Sequence, residues 1–222
     1  MMHKVLERIG VVGDIHAQDE RLEVTLEFLR KEAVPIMCTG DVVDGKGDVH
    51  KCISLLEEAG VETVLGNHDE WMLQNIMRDL TVEGSDGDDT MHTTTLADLS
   101  GPEIRFMRSL PKTMSFLSAC GNILLCHGVG ENTMNKINPD DYGYAIEFND
   151  DLQKIISEKR YKIMINGHSH KKMIKEIKGL VILNAGSLTR EPGFLIVDFK
   201  ERVVHFHVLS GWTSKIERSV SF

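Results

Sequence analysis

Nowhere does the sequence run through the eighteen or so consecutive apolar residues that a membrane-spanning helix needs. Its first fourteen residues, MMHKVLERIGVVGD, mix charges with a short apolar run and do not read as a secretory leader. Neither a membrane anchor nor a signal peptide is expected, and the chain reads as cytoplasmic. Cysteine is scarce: Cys38, Cys52, Cys120 and Cys126 are scattered and form no CxxC pair. That argues against a zinc ribbon and against a dense disulfide framework. Cys38 and Cys126 sit inside apolar runs and read as small buried side chains. Positive charge is also short, with 25 Lys and Arg against 34 Asp and Glu and a formal charge of −9. A generic electrostatic grip on nucleic acid or anionic lipid is therefore not expected. Internal repeats, low-complexity tracts and a Pro/Gly/Ser-rich linker are all missing. So is a GxSxG elbow or any other serine or cysteine nucleophile signature.

What remains is a chain of 222 residues, 41% hydrophobic, long enough to bury a sizeable core as a single domain over 1–222. Short apolar runs alternate with amphipathic stretches: Ile9 to Val12, Leu22 to Phe28 at helical spacing, Pro35 to Cys38, Ile53 to Leu56 and Val61 to Leu65. This is a βαβαβ opening, and parallel strands require such helical crossovers. In the second half the runs at 123–126, 162–165, 181–183, 194–198 and 203–208 crowd together, with one clear helix near Ile146 to Lys159. The economical architecture is α/β: two packed mixed sheets flanked by helices, a four-layer α-β-β-α sandwich. Residues 70–112 start as a helix (Trp71, Met72, Leu73, Ile76, Met77, Leu80), pass an acidic loop from Glu83 to Asp89, and read either as a helical lid or shoulder or as a plain solvated loop.

The chemistry lies at strand ends. Val11-Val12-Gly13-Asp14-Ile15-His16 and Met37-Cys38-Thr39-Gly40-Asp41 each run from a strand straight into Gly-Asp. A third strand runs into Gly66-Asn67-His68-Asp69, and two later ones end in Cys126-His127-Gly128 and Asn166-Gly167-His168-Ser169-His170. In an open α/β sheet the carboxyl edge of the strands is where ligand sites form. Five strand ends thus deliver Asp, Asn or His to one rim. Carboxylate, amide oxygen and imidazole together suit borderline divalent ions such as manganese, iron or zinc better than magnesium or calcium. Any one of these motifs could be a turn or a structural histidine; their order and shared context give the set its meaning.

Taken together, GDIH, GDVVD, GNHD, CHG and GHSH resemble the calcineurin-like metallophosphoesterase superfamily, and the Asn184-Ala185-Gly186-Ser187 turn resembles its small prokaryotic branch. The resemblance implies two divalent metal ions (manganese, iron or zinc), one held by Asp14, His16, Asp41 and His170, the other by Asp41, Asn67, His127 and His168. Asp41 would bridge them, since two close cations need anionic charge between them. It further implies hydrolysis of a phosphate ester by attack of a metal-bridging hydroxide. His68 would be the general acid at the leaving oxygen, Asp44 its orienting partner, and Asn67 and His68 would also contact substrate. Asp69 competes for His68, but is better read as the N-cap of a helix beginning near Glu70.

The motifs are specific for the superfamily and nearly silent on substrate. In its protein serine/threonine phosphatases the second motif reads GDxVDRG, with an arginine where Gly45 stands here, and GNHE replaces GNHD. A dedicated protein phosphatase is thus doubtful; Lys46, Lys171 or Arg190 could contact phosphate from elsewhere. A small phosphate ester is the expected substrate, with a phosphodiester slightly favoured because no arginine clamp for a dianionic monoester is visible. Phosphomonoester and dinucleoside polyphosphate hydrolysis are the alternatives, and the rival from another class is a non-catalytic scaffold such as the family's retromer subunit. A homo-oligomer is left open. Calcium loops at Asp86-Gly87-Asp88 and Asn138-Pro139-Asp140 fail at the required glycine or glutamate. Gly45-Lys46-Gly47-Asp48 lacks P-loop spacing. His205 and His207 share a strand face and read as packing or surface residues; His92 is the remaining histidine worth following.

Overall fold

The computed structural model describes residues 5–76 and 92–222. Its described elements, in chain order, are β1 (Arg8–Val12), α1 (Asp19–Lys31), β2 (Ile36–Cys38), α2 (Val49–Ala59), β3 (Glu62–Thr63), α3 (Asn67–Leu73), α4 (Gly101–Ser109), β4 (Thr113–Ser118), β5 (Gly121–Cys126), α5 (Tyr144–Glu147), α6 (Asp150–Glu158), β6 (Ile163–Asn166), β7 (Lys172–Ile177), β8 (Leu180–Ala185), β9 (Gly193–Asp198), β10 (Val203–Ser210) and β11 (Thr213–Ser221). They build two mixed sheets. One has the order β11-β10-β9-β1-β2-β3, the other β4-β5-β6-β8-β7.

In each sheet three neighbouring strands run parallel: β1, β2 and β3 in the first, β5, β6 and β8 in the second. The remaining neighbours pair antiparallel. The period-two alternation of the strands sorts their side chains into separate layers. Ile9 and Val11 of β1 face the space between the sheets, where they join Ile123, Ile163, Leu183, Leu195 and Phe206. Val12 and Cys38 face outward, against Leu22, Leu26 and Leu29 of α1 and Ile53 and Leu56 of α2. On the far side Leu124, Met164 and Ile182 pack on Leu152 and Ile155 of α6. The result is an α-β-β-α sandwich.

Helix α1 shows how local sequence and packing agree. Leu22, Leu26 and Leu29 recur at helical spacing and are almost completely buried, while Asp19 and Glu20 in the first turn and Arg30 and Lys31 in the last complement the helix dipole. Each such leucine contributes roughly 1.5–3 kcal/mol by leaving water. The helix expected over 146–159 is instead two, α5 and α6, because the Asn149 side chain accepts from Leu152 N–H at 3.1 Å and starts a new helix there. Strands β4, β7 and β11 escaped the sequence reading. Each is a sheet edge, half exposed, and therefore short of apolar residues.

The C-terminal ends of the six parallel strands lie along one rim, and the two sheets are stitched there. His127 Nδ1, after β5, is 2.7 Å from the Thr39 carbonyl after β2. His168 N–H, after β6, donates to Asp14 Oδ2 after β1 at 2.8 Å. None of the described helices is long and apolar enough to cross a membrane. Cys38, Cys52, Cys120 and Cys126 are all free thiols, and burial pushes Cys126 up to about 12.

Candidate metal centre

All nine residues singled out from the sequence meet on that rim. Asp14, His16, Asp41, Asn67 and His127 are buried, and Asp44 with them, while His68, His168 and His170 are partly open to solvent. Two sets of side chains converge closely enough for each to hold a metal ion: Asp14, His16, Asp41 and His170, and Asp41, His127 and His168. Asn67 joins the second set, its Oδ1 lying 2.8 Å from His127 Nε2. Asp41 belongs to both.

The turns that deliver these groups are tight. His16, Asp41, Asp44, His168 and His170 all sit at positive φ, between 48° and 63°. Such backbone costs of order 1–3 kcal/mol per residue and persists only where the surroundings impose it. Here they do. Ile15 and His16 donate backbone N–H bonds to the Asp41 carbonyl at 3.0 and 2.8 Å. Asp14 is gripped by Thr39 Oγ1 at 2.8 Å, and its backbone bonds to Gly186 and Leu188 on either side of Ser187. The Asn184 amide in turn holds the Gly167 carbonyl at 2.7 Å and its own oxygen accepts from Gly186 N–H. The Asn-Ala-Gly-Ser turn thus braces both Asp14 and the loop bearing His168.

The donor set has the electrostatics of a cation site. Asp41 Oδ1 accepts from His68 N–H at 2.9 Å, but Oδ2 is buried and makes no hydrogen bond, although His127 Nε2 lies 3.3 Å away and His16 Nε2 3.7 Å away. An orphaned carboxylate oxygen is costly unless a cation answers it. His16 directs Nδ1 at the Asp44 carbonyl, 3.1 Å away, so its Nε2 lone pair faces His170 Nε2 at 3.1 Å. Two imidazole nitrogens converging on one point is an arrangement a shared metal ion satisfies. His127 Nε2 and the Asn67 oxygen also converge, 2.8 Å apart, on the side of the second set. The residues present fit two divalent ions.

Proton affinities differ sharply within the cluster. Burial pushes His16 down to about 3, against the pull of Asp41, and burial with the charge of His127 holds His168 at about 4. Burial also opposes a charge on His127, but the facing carboxylates of Asp41 and Asp14 overcome it and push the group up to about 10. Burial raises Asp14; in Asp41 the same effect is outweighed by His127 and His68, which hold it well below the usual carboxylate range.

His68 stands at the mouth, its Nδ1 2.8 Å from Asp44 Oδ2 and its ring edge-on to His16 at 4.8 Å. Asp69 is not a rival for it. Helix α3 begins at Asn67, three residues earlier than expected, so Asp69 lies inside its first turn and not at the cap. Its carboxylate accepts from Gly66 N–H at 2.9 Å and from Val42 and Val43 N–H at 2.8 and 3.2 Å. It therefore locks the GNHD turn to the GDVVD turn.

Gly45, where the protein phosphatases carry arginine, is closed to any side chain: an added Cβ would lie 1.9 Å from the His16 carbonyl oxygen. Lys46, Lys171 and Arg190 are exposed, and Lys171 is 4.0 Å from Asp140. Two contributors were missed from sequence. Thr39 was legible as the residue before Gly40-Asp41. Thr94 was not: its N–H donates to Asp44 Oδ1 at 2.7 Å and its hydroxyl accepts from Asp44 N–H at 3.2 Å. His92 acts through its carbonyl, which accepts from Gly45 N–H at 3.0 Å. His207 stacks on Phe194 at 4.4 Å and His205 bonds Ser219, so both are sheet residues away from the rim. Met77, Leu80 and the Glu83 to Asp89 loop lie outside the described residues.

A two-sheet α/β sandwich with aspartate, asparagine and histidine on the carboxyl rim defines a class, and the comparisons agree with it. Residues 8–202 match the calcineurin-like phosphoesterase superfamily domain, and the chain belongs to that superfamily. It is 23% identical to an uncharacterized protein of Methanocaldococcus jannaschii over 186 residues, 83% of this chain and 71% of the relative. Among solved structures it resembles a hypothetical protein from Pyrococcus horikoshii (TM-score 0.70, 16% identity, 92% of this chain and 88% of that one). It also resembles a metallophosphoesterase from Sphaerobacter thermophilus (TM-score 0.63, 18% identity, 94% and 89%).

Proposed function

We propose that this chain is a dinuclear-metal-dependent phosphoesterase with Asp41 as the bridging ligand. Asp14, His16 and His170 complete one site and Asn67, His127 and His168 the other, for manganese, iron or zinc. The observation that carries the reading is Asp41 Oδ2, a buried carboxylate oxygen without a hydrogen bond that the ring nitrogens of His16 and His127 approach from two sides. When bound, the two ions supply a double clamp on phosphoryl oxygens and acidify a water for in-line attack at phosphorus.

The chain's own residues do the rest. His68, held by Asp44 through Nδ1, keeps Nε2 turned toward the site, 4.0 Å from Asp41 Oδ2, and protonates the departing oxygen as general acid. Asn67 and His68 contact the substrate phosphoryl group. Thr94 holds the Asp44 carboxylate in place, so the described residues that follow position 92 in the 70–112 segment serve as a shoulder of a single catalytic domain. A phosphodiester is the preferred substrate, because the closed space at Gly45 leaves no arginine fork for a dianionic monoester.

Asp41→Asn removes the shared charge while keeping the shape. Manganese-supported hydrolysis of a diester is expected to fall by on the order of a thousandfold or more, with an unchanged circular-dichroism spectrum. Wild-type turnover in that variant would contradict the assignment. A wild-type protein that binds two ions yet hydrolyses neither monoesters nor diesters would place it with the scaffolds of the superfamily.

A further inference from the structure

Beside the second candidate set, a cleft of about 510 Å³ opens between the loop after β5 and the start of α6. Its wall packs against the loop that follows a candidate ligand: Asn135, which lines it, places its carbonyl 2.6 Å from where a Cβ on Gly128 would sit, one residue beyond His127. Lys136, the next residue along, is also on the wall. Across the cleft Tyr144 and Phe148 present one face of α5 and its C-terminal cap. They are 77% and 74% exposed, with ring centroids 5.6 Å apart and planes inclined by 31°. Two adjoining aromatic rings left in solvent beside a reaction centre mark a binding surface.

The walls say what would fit. Asp141, Asp150 and Asp151 outnumber the single Lys136, so a second phosphate running into the cleft would be repelled, whereas a neutral ring bearing amino groups would find acceptors. The frame is already fixed. The Asn135 and Asn149 amides bond each other at 2.8 and 3.0 Å, Asn135 donates to Asp151 at 2.8 Å, and Asp141 accepts from Asn138 N–H at 2.7 Å. Little ordering is left for a ligand to impose.

We propose that this cleft is a nucleoside subsite, in which a nucleobase stacks on Tyr144 and Phe148 while Lys136 engages the ester phosphate at the metal edge. The inference rests on the phosphoesterase reading above and narrows its substrate class to esters of a nucleoside monophosphate.

The test compares two diesters that share one scissile bond and one leaving group, adenosine 5′-(p-nitrophenyl phosphate) and methyl p-nitrophenyl phosphate, with manganese-loaded protein. Water cleaves each to p-nitrophenol and a phosphomonoester. The nucleoside ester is expected to show a kcat/KM at least roughly tenfold higher, in the lower part of what stacking one base on an aromatic ring contributes. That ratio should fall to near one in Tyr144→Ala/Phe148→Ala, whose exposed positions leave the melting temperature unmoved. Saturation-transfer NMR with adenosine 5′-monophosphate reads the cleft without turnover: base protons should receive saturation from the wild type and not from the double variant. Equal rates for the two esters in the wild type, or a ratio and saturation retained in the double variant, overturn the subsite. Failure to hydrolyse either ester overturns the phosphodiesterase preference instead, and the NMR signal then decides the cleft alone.

Discussion

His16 and His127 flank the same carboxylate, yet their proton affinities lie some seven units apart, about 3 against about 10. Both are fully buried and both spend Nδ1 on a backbone carbonyl. The difference is what surrounds each ring. His127 has two carboxylates, Asp41 at 3.3 Å from Nε2 and Asp14 at 3.8 Å from Nδ1; His16 has Asp41 at 3.7 Å but also the rings of His68 and His170 at 4.8 and 4.9 Å. On one side of the carboxylate His16 is therefore a neutral imidazole ready to ligate. The other side carries a proton where an ion would sit, and that ion must displace it.

The contrast can be sharpened by removing its neighbours in turn. After Asp41 itself, the largest effect is expected at His68, on the His16 side. His68→Ala should lower kcat by about 10²–10⁴ for esters with poor leaving groups and far less for p-nitrophenyl esters. An equal loss for all leaving groups would argue against a general acid. Next comes Thr94→Val, which deletes the hydroxyl that receives Asp44 N–H and leaves the backbone bond in place. Turnover should fall roughly tenfold with KM little changed, in line with groups that orient a reacting side chain from behind. A rise in KM with kcat intact would move Thr94 from proton transfer to substrate binding.

A smaller signal separates the two histidines directly. At pH 8, manganese uptake should release about one proton per chain, from His127, since His16 and His168 are already neutral. Calorimetric titrations in Tris and in HEPES should thus differ in apparent enthalpy, and the difference should vanish in His127→Ala. Identical enthalpies in both buffers for the wild type would contradict the split.

The smallest effect concerns His50, which pairs with Glu103 at 2.8 Å and ties α2 to α4, the helix beyond Thr94. Its bond to Glu103 raises the His50 pKa. A raised value means that the contribution to stability is complete below the unfolded histidine range, near 6.5, and is lost as pH rises through the folded value. The wild type should therefore melt slightly above His50→Gln at pH 5.5 and level with it at pH 9.

The rim was legible because Gly-Asp, Gly-Asn-His and Gly-His-Ser-His each follow an apolar run, and the strand-end rule places them without knowledge of the sheets' packing. Gly45 was legible as a departure, though its cause, the His16 carbonyl pressed against it, is a contact between turns far apart in sequence. Thr94 was invisible for the same reason. It lies fifty residues from Asp44 in a run of three threonines, and nothing local distinguishes which of them reaches a buried carboxylate. The edge strands were missed because exposure leaves segments such as Thr213–Ser221, most of whose residues face solvent, too polar to announce themselves. Lys136 was passed over because its sequence neighbours, Asn135 and Ile137, suggest only a loop.

That one carboxylate serves two ions is tested most directly by electron paramagnetic resonance of the manganese-loaded protein. The wild type should take up two Mn²⁺ per chain and give the spectrum of a spin-coupled pair, and Asp41→Asn should lose the coupling. Two uncoupled ions in the wild type, or a coupled pair that survives Asp41→Asn, would contradict the account.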